Sequence, residues 1–286
     1  MMQSIQGLGE LAADYDALLC DVWGVVHDGR ESFPVAGAAL AQWRGRVGPV
    51  ILISNSPRPS PQVRGQLDAL GVPRAAYDAL VTSGDATRAL LAARAPGPAW
   101  AIGPERDAPL YEGLGLGFAG LEEAAFIACT GPVDDERETP QDYRERFVRA
   151  ARRGLVMICA NPDRVVQRGD RLVYCGGALA DLYASLGGAV EMAGKPHAPI
   201  YDVCLAAVAE RLGRPPERAR VLAIGDGVAT DLAGAAAQGL DALFIGAGIH
   251  AQETLTPAGD LDPAAAAAFL AGEGAQARYA MAKLAW

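Results

Sequence analysis

The stretch Ala17-Leu18-Leu19-Cys20-Asp21-Val22 decides the fold, because it is an unbroken apolar run that carries one carboxylate near its end. A continuous rather than alternating apolar run is typical of a strand buried on both faces of a parallel sheet. In open α/β sheets, ligands bind outside the carboxyl ends of the strands. The run therefore predicts a core strand that carries Asp21 into a binding site.

Similar apolar runs recur along the chain, and segments with helical periodicity lie between them. The other predicted strands are Pro49–Ser54, Ala99–Ile102, Ala125–Cys129, Leu155–Ala160, Arg220–Gly225 and Ala242–Ile245. The predicted helices are Val35–Arg46, Ser60–Leu70, Asp85–Arg94, Pro140–Arg153, Gly177–Leu186, Pro199–Leu212 and Thr230–Gln238, and the alanine-rich tail from Asp262 adds Pro263–Leu270 and Gln276–Leu284. This alternation indicates right-handed βαβ units and an α/β fold with a doubly wound, mostly parallel, Rossmann-like sheet.

Composition narrows the class of protein. With 286 residues, the chain allows one large domain or two smaller ones, and 51% hydrophobic with 21% charged residues is typical of a soluble protein. A net charge of -9 argues against nucleic acid or an anionic membrane as the main partner. Met1–Glu10 does not resemble a signal peptide, no apolar run is long enough to cross a bilayer, and the five dispersed cysteines form no CxxC pair. These features predict a cytoplasmic protein.

Polar residues lie at the ends of two further predicted strands. Ser54 ends one strand and Asp226 follows another, so that two carboxylates and a hydroxyl meet at one edge of the predicted sheet. Lys195 precedes the helix that leads into the Asp226 strand, a position that brings its ammonium near the same carboxylates. Each residue alone also fits a structural role: a turn for Ser54, a helix cap for Asp226 and a solvated loop for Lys195. Together, they predict a site.

Four separated motifs resemble those of the haloacid dehalogenase-like hydrolases and occur in that family's order. They are Asp21-Val22-Trp23-Gly24-Val25, Ser54-Asn55, Gly194-Lys195-Pro196, and Gly225-Asp226-Gly227 through Thr230-Asp231. Asn161-Pro162-Asp163, followed by Gly176-Gly177, resembles the p-nitrophenylphosphatase and sugar-phosphatase-like branch, which inserts an α/β cap domain between its second and third motifs. The resemblance implies a discontinuous catalytic core, residues 1–84 and 189–286, and a cap domain at residues 85–188.

The resemblance also implies a magnesium-dependent phosphatase. Asp21 is then the nucleophile that forms an aspartyl-phosphate, and Mg²⁺ offsets the repulsion between a carboxylate and an anionic phosphoryl group. The implied metal ligands are Asp21, Asp226 and the backbone carbonyl of Trp23, with Asp231 acting through water or through another ligand.

Further residues are assigned to the substrate by the resemblance. Ser54 and Lys195 hold the phosphoryl oxygens, and the backbone N–H of Asn55 joins them unless its side chain serves to shape the turn. Asn161 and Asp163 face or support the substrate pocket, although an Asn-Pro-Asp turn at the end of a strand is an equal alternative. The implied substrate is a small phosphorylated metabolite such as a sugar phosphate, and homodimerisation through the cap stays open.

Trp23 departs from the family's pattern, because phosphatases of this family usually carry an acid–base aspartate at this position. An indole has one N–H and no basic site, so the ordinary mechanism is expected to be slower by roughly 10²–10⁴-fold. His27 and Asp28 are the nearest replacements in sequence, although Asp28-Gly29 is also a common turn. Two alternatives remain: a non-catalytic relative that binds a phosphorylated ligand, and a dehalogenase-like attack on carbon.

Overall fold

A computed structural model of the chain describes residues 2–168 and 171–286. These residues form two compact units. The first unit comprises the described residues of Met1–Ser54, Arg64–Val81 and Tyr201–Trp286, and the second those of Asn55–Val63 and Thr82–Ile200. Within the described residues, no helix combines the length and the apolar character that a membrane span requires.

The strands are short and are distributed over the whole chain. In chain order they are β1 (Gln3–Ser4), β2 (Ala17–Asp21), β3 (Val50–Ser54), β4 (Ala79–Thr82), β5 (Ala99–Ile102), β6 (Phe126–Cys129), β7 (Val156–Cys159), β8 (Val165–Arg168), β9 (Arg171–Tyr174), β10 (Ala189–Met192), β11 (Val221–Gly225), β12 (Asp241–Ile245) and β13 (Tyr279–Met281). Most predicted strands agree with these bounds to within one or two residues.

The α-helices lie between the strands, as the alternating pattern predicts. They are α1 (Pro34–Arg46), α2 (Ser60–Ala69), α3 (Ser83–Ala92), α4 (Arg144–Arg152), α5 (Gly176–Ser185), α6 (Ala198–Leu212), α7 (Ala233–Gln238), α8 (Ala251–Thr254) and α9 (Pro263–Gly272). Their ends show ordinary capping chemistry: Thr82 and Asp85 form a reciprocal capping box at the start of α3, and α7 ends at Gly239 in the left-handed conformation.

The first unit contains a seven-stranded sheet in the order β1-β13-β12-β11-β2-β3-β4. The pairings from β1 through β3 in this order are parallel. Every residue of β2, β3 and β11 is buried, as expected for continuous apolar runs in the middle of a parallel sheet. The register places Asp21 opposite Ile53 and Cys20 opposite Ile224, so the carboxyl ends of these strands are level.

The second unit contains a parallel sheet of its own, in the order β10-β7-β6-β5, and the antiparallel hairpin β8–β9. A cluster of buried aromatic rings packs on this sheet, with Phe147 against both Tyr143 and Tyr183. Each ring removes a large apolar area from water, which is the main source of stability for such a core. Together, the two parallel sheets with their helices confirm the predicted mostly parallel α/β fold.

The structure corrects the sequence analysis at the tail. The segment Gln276–Leu284, predicted as a helix, contains the buried strand β13, which pairs with β12 on one side and β1 on the other. Alanine favours a helix only as a local preference, and backbone pairing with two neighbouring strands overrides it. The segment Pro263–Leu270 is helical as predicted, within α9.

The units also differ in extent from the predicted domains. Residues Asn55–Val63, inside the predicted core, belong to the second unit. The main part of that unit begins at Thr82, close to the predicted limit at 84/85, and ends at Ile200, beyond the predicted limit at 188/189. The reason is β10, a partly exposed strand that has no continuous apolar run and pairs with β7 in the second sheet. The hairpin β8–β9, also partly exposed, has no counterpart in the sequence prediction.

Candidate functional site

The predicted site residues fall into two groups, one in each unit. Asp21, Trp23, Ser54, Asp226 and Asp231 belong to the first unit. Asn55, Asn161, Asp163 and Lys195 belong to the second.

Three carboxylates come together in the first unit. Asp21 ends β2, Asp226 follows β11, and Asp231 lies one turn further on. One oxygen from each of the three lies within 4.8 Å of the others, and all three residues are buried, with exposed fractions of 4–6%. Asp21, Asp226 and Asp231, which the sequence places near one metal ion, therefore lie next to one another in the structure.

Asp226 is held by backbone groups from two loops. Its Oδ2 accepts a hydrogen bond of 2.9 Å from the N–H of Ile249. A Cβ atom placed on Gly24 or on Gly248 would overlap the same carboxylate, and Gly24 also has a φ of +82°. Only glycine allows the two loops to approach the carboxylate this closely. Gly248 and Ile249 were not predicted as site residues, although they follow the carboxyl end of β12, where ligands of α/β sheets bind.

Asp231 is positioned by an irregular helical turn. Residues Val228–Leu232 form one π-helical turn, a form that occurs frequently at functional sites. This turn directs the Asp231 side chain back over the strand end, where Oδ2 accepts a hydrogen bond of 3.1 Å from the N–H of Gly227. A Cβ atom on Gly225 would overlap Asp231, so the Gly-Asp-Gly sequence is required by close packing as well as by chemistry.

The three carboxylates fit a divalent cation. Carboxylates that are buried next to one another repel, and their ionised forms are stable together only when a positive charge offsets the repulsion. Hard oxygen ligands of this kind suit Mg²⁺ and Ca²⁺, whereas zinc sites usually include sulfur or imidazole ligands. The oxygen separation of up to 4.8 Å is close to the distance that two opposite ligands of one such ion span.

The segment after Asp21 forms a tight turn around Trp23 and His27. The N–H of Gly24 donates to the carbonyl of His27 at 2.8 Å, and the ring of His27 packs edge-on against Trp23 with centroids 5.1 Å apart. His27 is buried, and its Nδ1 accepts a hydrogen bond of 2.9 Å from the N–H of Gly29. In this arrangement, Nδ1 of His27 therefore acts as an acceptor. Trp23 is half-buried, and its indole lies against Gly29.

Asp28 serves the same turn. Its Oδ1 accepts hydrogen bonds of 2.9 Å from the N–H groups of Arg30 and Glu31. Although burial acts to raise the pKa of Asp28, these backbone N–H groups lower it. The carboxylate is thus ionised at neutral pH and bonded to the backbone, as in the turn interpretation of Asp28-Gly29.

Asn55 organises the second group. Its side-chain oxygen accepts a hydrogen bond of 2.8 Å from the N–H of Lys195, and its Nδ2 donates to the Lys195 carbonyl at 3.2 Å and to Oδ1 of Asp163 at 2.8 Å. Asn55 and Lys195 are each 2% exposed. Asn161 continues the arrangement, because its Oδ1 accepts a hydrogen bond of 3.2 Å from the N–H of Asp163. The Asn-Pro-Asp segment is thereby tied through Asn55 to the backbone of Lys195.

Glycine is again required where backbones approach in this group. A Cβ atom on Gly194 would overlap Ser83 and meet the side-chain oxygen of Asn55. A Cβ atom on Gly177 would overlap the carbonyl of Pro162, which explains why the glycine pair accompanies the Asn-Pro-Asp segment. The members of this group were thus predicted from the sequence, but the hydrogen bonds between them were not.

Comparison with known proteins agrees with this geometry. Residues 18–117 match the family model described as haloacid dehalogenase-like hydrolase, and residues 192–270 match a second model described as haloacid dehalogenase hydrolase-like. A hydrolase of the haloacid dehalogenase-like family from Brucella suis 1330 is 47% identical, with a TM-score of 0.87 over 98% of this chain and 99% of that one.

Two phosphatases are more distantly similar. The D-glycerol 3-phosphate phosphatase of Mycobacterium tuberculosis is 28% identical over 248 residues, which cover 84% of this chain but only 65% of that protein's length. The p-nitrophenyl phosphatase from Archaeoglobus fulgidus has the same fold, with a TM-score of 0.67 and 20% identity over 94% of this chain and 97% of that one. The family matches and the Brucella structure together show that this chain belongs to the haloacid dehalogenase-like hydrolase family.

Proposed function

We propose that the protein is a magnesium-dependent phosphohydrolase that removes the phosphoryl group from a small phosphorylated metabolite. The observation that carries the proposal is the buried group of Asp21, Asp226 and Asp231 at the carboxyl edge of the first sheet. The similarity to a glycerol phosphate phosphatase supports a polyol phosphate or sugar phosphate as the substrate class.

In this proposal, Asp21 is the nucleophile. One carboxylate oxygen of Asp21 attacks phosphorus, and the bond from phosphorus to the leaving oxygen breaks; that oxygen keeps the electron pair and takes a proton from water. A water molecule then hydrolyses the aspartyl-phosphate, which releases phosphate and restores Asp21. Asp21, Asp226 and the carbonyl of Trp23 would hold Mg²⁺, with Asp231 acting through water or through another ligand, and the cation would offset the charge of the incoming phosphoryl group.

Ser54 and Lys195 are proposed to bind the phosphoryl oxygens, by hydrogen bond and by charge respectively. Ser54 is buried at the end of β3, next in register to the pair formed by Ile53 and Asp21. The side chain of Asn55 bonds both the N–H and the carbonyl of Lys195, so we assign Asn55 and Asp163 the task of positioning Lys195. Asn161 supports the same segment through the N–H of Asp163.

The proposed reaction is tested by phosphate release from a panel of phosphate esters, with and without Mg²⁺. The wild type is expected to release phosphate only with the metal, and Asp21→Asn is expected to lose at least about 10³-fold in kcat, because an amide is not a nucleophile toward phosphorus. Asp14→Asn, an exposed aspartate of the same unit, is the matched control and is expected to keep full activity.

Each other outcome contradicts the proposal in its own way. Equal release by the wild type and Asp21→Asn excludes Asp21 as the nucleophile. Magnesium-dependent binding of a phosphate ester without turnover identifies a non-catalytic relative. Metal-independent release of halide from a 2-haloacid, abolished in Asp21→Asn, identifies chemistry at carbon instead.

Trp23 makes a second experiment informative. Because an indole cannot protonate the leaving oxygen, the wild type is expected to favour esters with good leaving groups, such as p-nitrophenyl phosphate, over alkyl phosphates. Trp23→Asp is expected to raise kcat for alkyl phosphates by about 10²-fold and for p-nitrophenyl phosphate much less. Trp23→Phe is the control, because it removes the indole without adding a group that can donate or accept a proton. A similar gain for both variants shows that the indole obstructs the site, and proton transfer is then not the limiting step.

A further inference from the structure

The second unit contains a pocket that none of the residues assigned to phosphate chemistry lines. Its volume is about 440 Å³, which is within the range of small-molecule sites. It lies where β5 and β6 end: its lining runs from Gly103 to Glu112 after β5, with Phe118 beside them and Thr130 after β6. The carboxyl ends of neighbouring parallel strands are where α/β sheets bind ligands, so its position in the fold is favourable.

The pocket includes a buried hydroxyl that has no protein partner of ordinary geometry. Thr130 is 3% exposed, and its Oγ1 forms no hydrogen bond of normal geometry with the residues that the structure describes. The hydroxyl lies near the Asp107 carboxyl and acts to lower its pKa. A hydroxyl that donates to a carboxylate still has lone pairs free, so Oγ1 can accept a hydrogen bond from a ligand in the pocket. A Cβ atom on Gly103 would overlap Thr130 Oγ1, and glycine at that position therefore preserves the space around the hydroxyl.

The charged side chains that line the pocket are all acidic. They are Glu105, Asp107 and Glu112, and among the described lining residues none is lysine, arginine or histidine. Asp107 is buried, and its burial raises the pKa of its carboxyl, against the opposing effects of the Thr130 hydroxyl and of Arg106 and Arg58. Arg106 is itself paired with Asp135. The acidic lining favours a positively charged ligand.

One wall of the pocket is aromatic. Phe118 is 53% exposed, which is unusual for such a large apolar ring, and it packs edge-on against Tyr111 with centroids 5.3 Å apart. Burial raises the pKa of Tyr111, so the phenol is neutral at physiological pH. Aromatic faces bind both apolar groups and organic cations, and a wall of this kind complements the acidic lining.

We propose that this pocket binds a small organic ammonium compound that has an apolar body. Its N–H groups donate hydrogen bonds to the carboxylates and to Thr130 Oγ1, and its apolar body covers the exposed ring of Phe118. An ammonium group has several donors and no acceptor, which matches a lining of carboxylate and hydroxyl acceptors. The inference is independent of the proposed phosphatase reaction, because it concerns residues that take no part in that reaction.

The test uses three probes of similar size and shape: benzylamine, benzyl alcohol and benzoate. Binding to the full chain is measured by calorimetric titration and by perturbation of protein NMR signals at neutral pH. Benzylamine, as its ammonium ion, is expected to bind saturably and at least about tenfold more tightly than benzyl alcohol, with benzoate weaker still. Equal binding of the three probes, or absence of saturable benzylamine binding, overturns the proposal.

Variants locate the binding to this pocket. Thr130→Val, which keeps the shape and removes the hydroxyl, is expected to weaken benzylamine binding by about three- to tenfold without loss of thermal stability. Phe118→Ala removes an exposed ring and is expected to weaken it by about threefold or more. The matched control is Glu123→Gln, an exposed carboxylate of the same unit that does not line the pocket. Unchanged affinity in both pocket variants, or an equal loss in the control, shows that benzylamine binds elsewhere.

Discussion

The two ends of the first sheet use aspartate in opposite ways. At the amino ends of neighbouring strands, aspartates alternate with arginines: Arg278 precedes β13 and bonds Asp241 on β12, and Arg220 precedes β11 and bonds Asp16 ahead of β2. At the carboxyl ends of β11 and β2, Asp226 and Asp21 lie beside each other and beside Asp231. Aspartate side chains thus face an opposite charge at the amino ends of the strands and like charges at the carboxyl ends.

The two arrangements differ in what they do for the folded state. Pairs of opposite charge with good geometry stabilise the fold by a modest amount, whereas clustered buried carboxylates lower its stability. A chain that needed only to fold would gain nothing from the second arrangement. The carboxyl ends therefore indicate function and the amino ends indicate stability, and substitutions at the two ends are expected to separate these effects.

The largest effect is expected for Asp226→Asn. Loss of one charged ligand is expected to weaken Mg²⁺ binding by more than about 100-fold, because even the loss of a group that only supports a ligand costs 10–100-fold. Without the metal, the variant is expected to be at least as stable as the wild type, since one of three mutually repelling charges is removed. Calorimetric titration with Mg²⁺ and thermal unfolding in a chelator measure the two effects.

The opposite end of the sheet provides the control for this prediction. Asp241→Asn is expected to keep the Mg²⁺ affinity within about twofold of the wild-type value, because Asp241 lies at the amino end of β12. Similar losses of Mg²⁺ affinity in the two variants contradict the distinction between the ends, and so does wild-type Mg²⁺ affinity in Asp226→Asn.

The sequence predicted one end of the sheet better than the other, for a physical reason. Asp21, Ser54 and Asp226 follow apolar runs directly, and the level ends of parallel strands bring such residues together without knowledge of any particular contact. The pairing of Asp16 with Arg220 joins residues 204 positions apart. Which arginine meets which aspartate depends on strand order, and local sequence does not specify strand order.

The same limit applies within the candidate site. Asn55 and Asp163 were predicted as substrate-binding residues. Their hydrogen bond joins residues 108 positions apart, and hydrophobic periodicity carries no information on contacts at that separation. The π-helical turn that returns Asp231 to the strand end also lacks a local signature, because its Ala-Thr-Asp-Leu sequence reads as an ordinary helix start. The alanine-rich composition around β13 predicts a helix wrongly, because pairing with β12 and β1 outweighs helix propensity.

A smaller effect, on stability rather than on chemistry, is expected for Asp241→Asn. The carboxylate accepts hydrogen bonds of 2.6 Å from both the buried Tyr15 hydroxyl and Arg278. Because hydrogen bonds to a charged group contribute more than neutral ones, the free energy of unfolding is expected to fall by about 1–3 kcal/mol, with kcat unchanged. Urea denaturation measures the change, and a double-mutant cycle with Tyr15→Phe isolates the contribution of the pair. Additive losses in that cycle show that the two side chains are not coupled.

The smallest effect, expected for Asp16→Asn, depends on pH. Bonds to Arg220 and Arg214 hold the pKa of Asp16 below its usual value of 3.8, although burial acts in the other direction. Since the folded-state pKa is the lower one, the carboxylate contributes stability above the unfolded-state pKa, and this contribution is lost as the pH falls through the folded-state pKa.

Both arginines are partly exposed, so the variant is expected to lose only about 0.5–1 kcal/mol at neutral pH. In urea titrations at a series of pH values, the difference in stability between the two proteins is expected to shrink as the pH falls below about 3.8 and to vanish below the folded-state pKa. A difference that is constant across this range shows that Asp16 acts through packing, and charge pairing at the amino end is then not what stabilises the sheet.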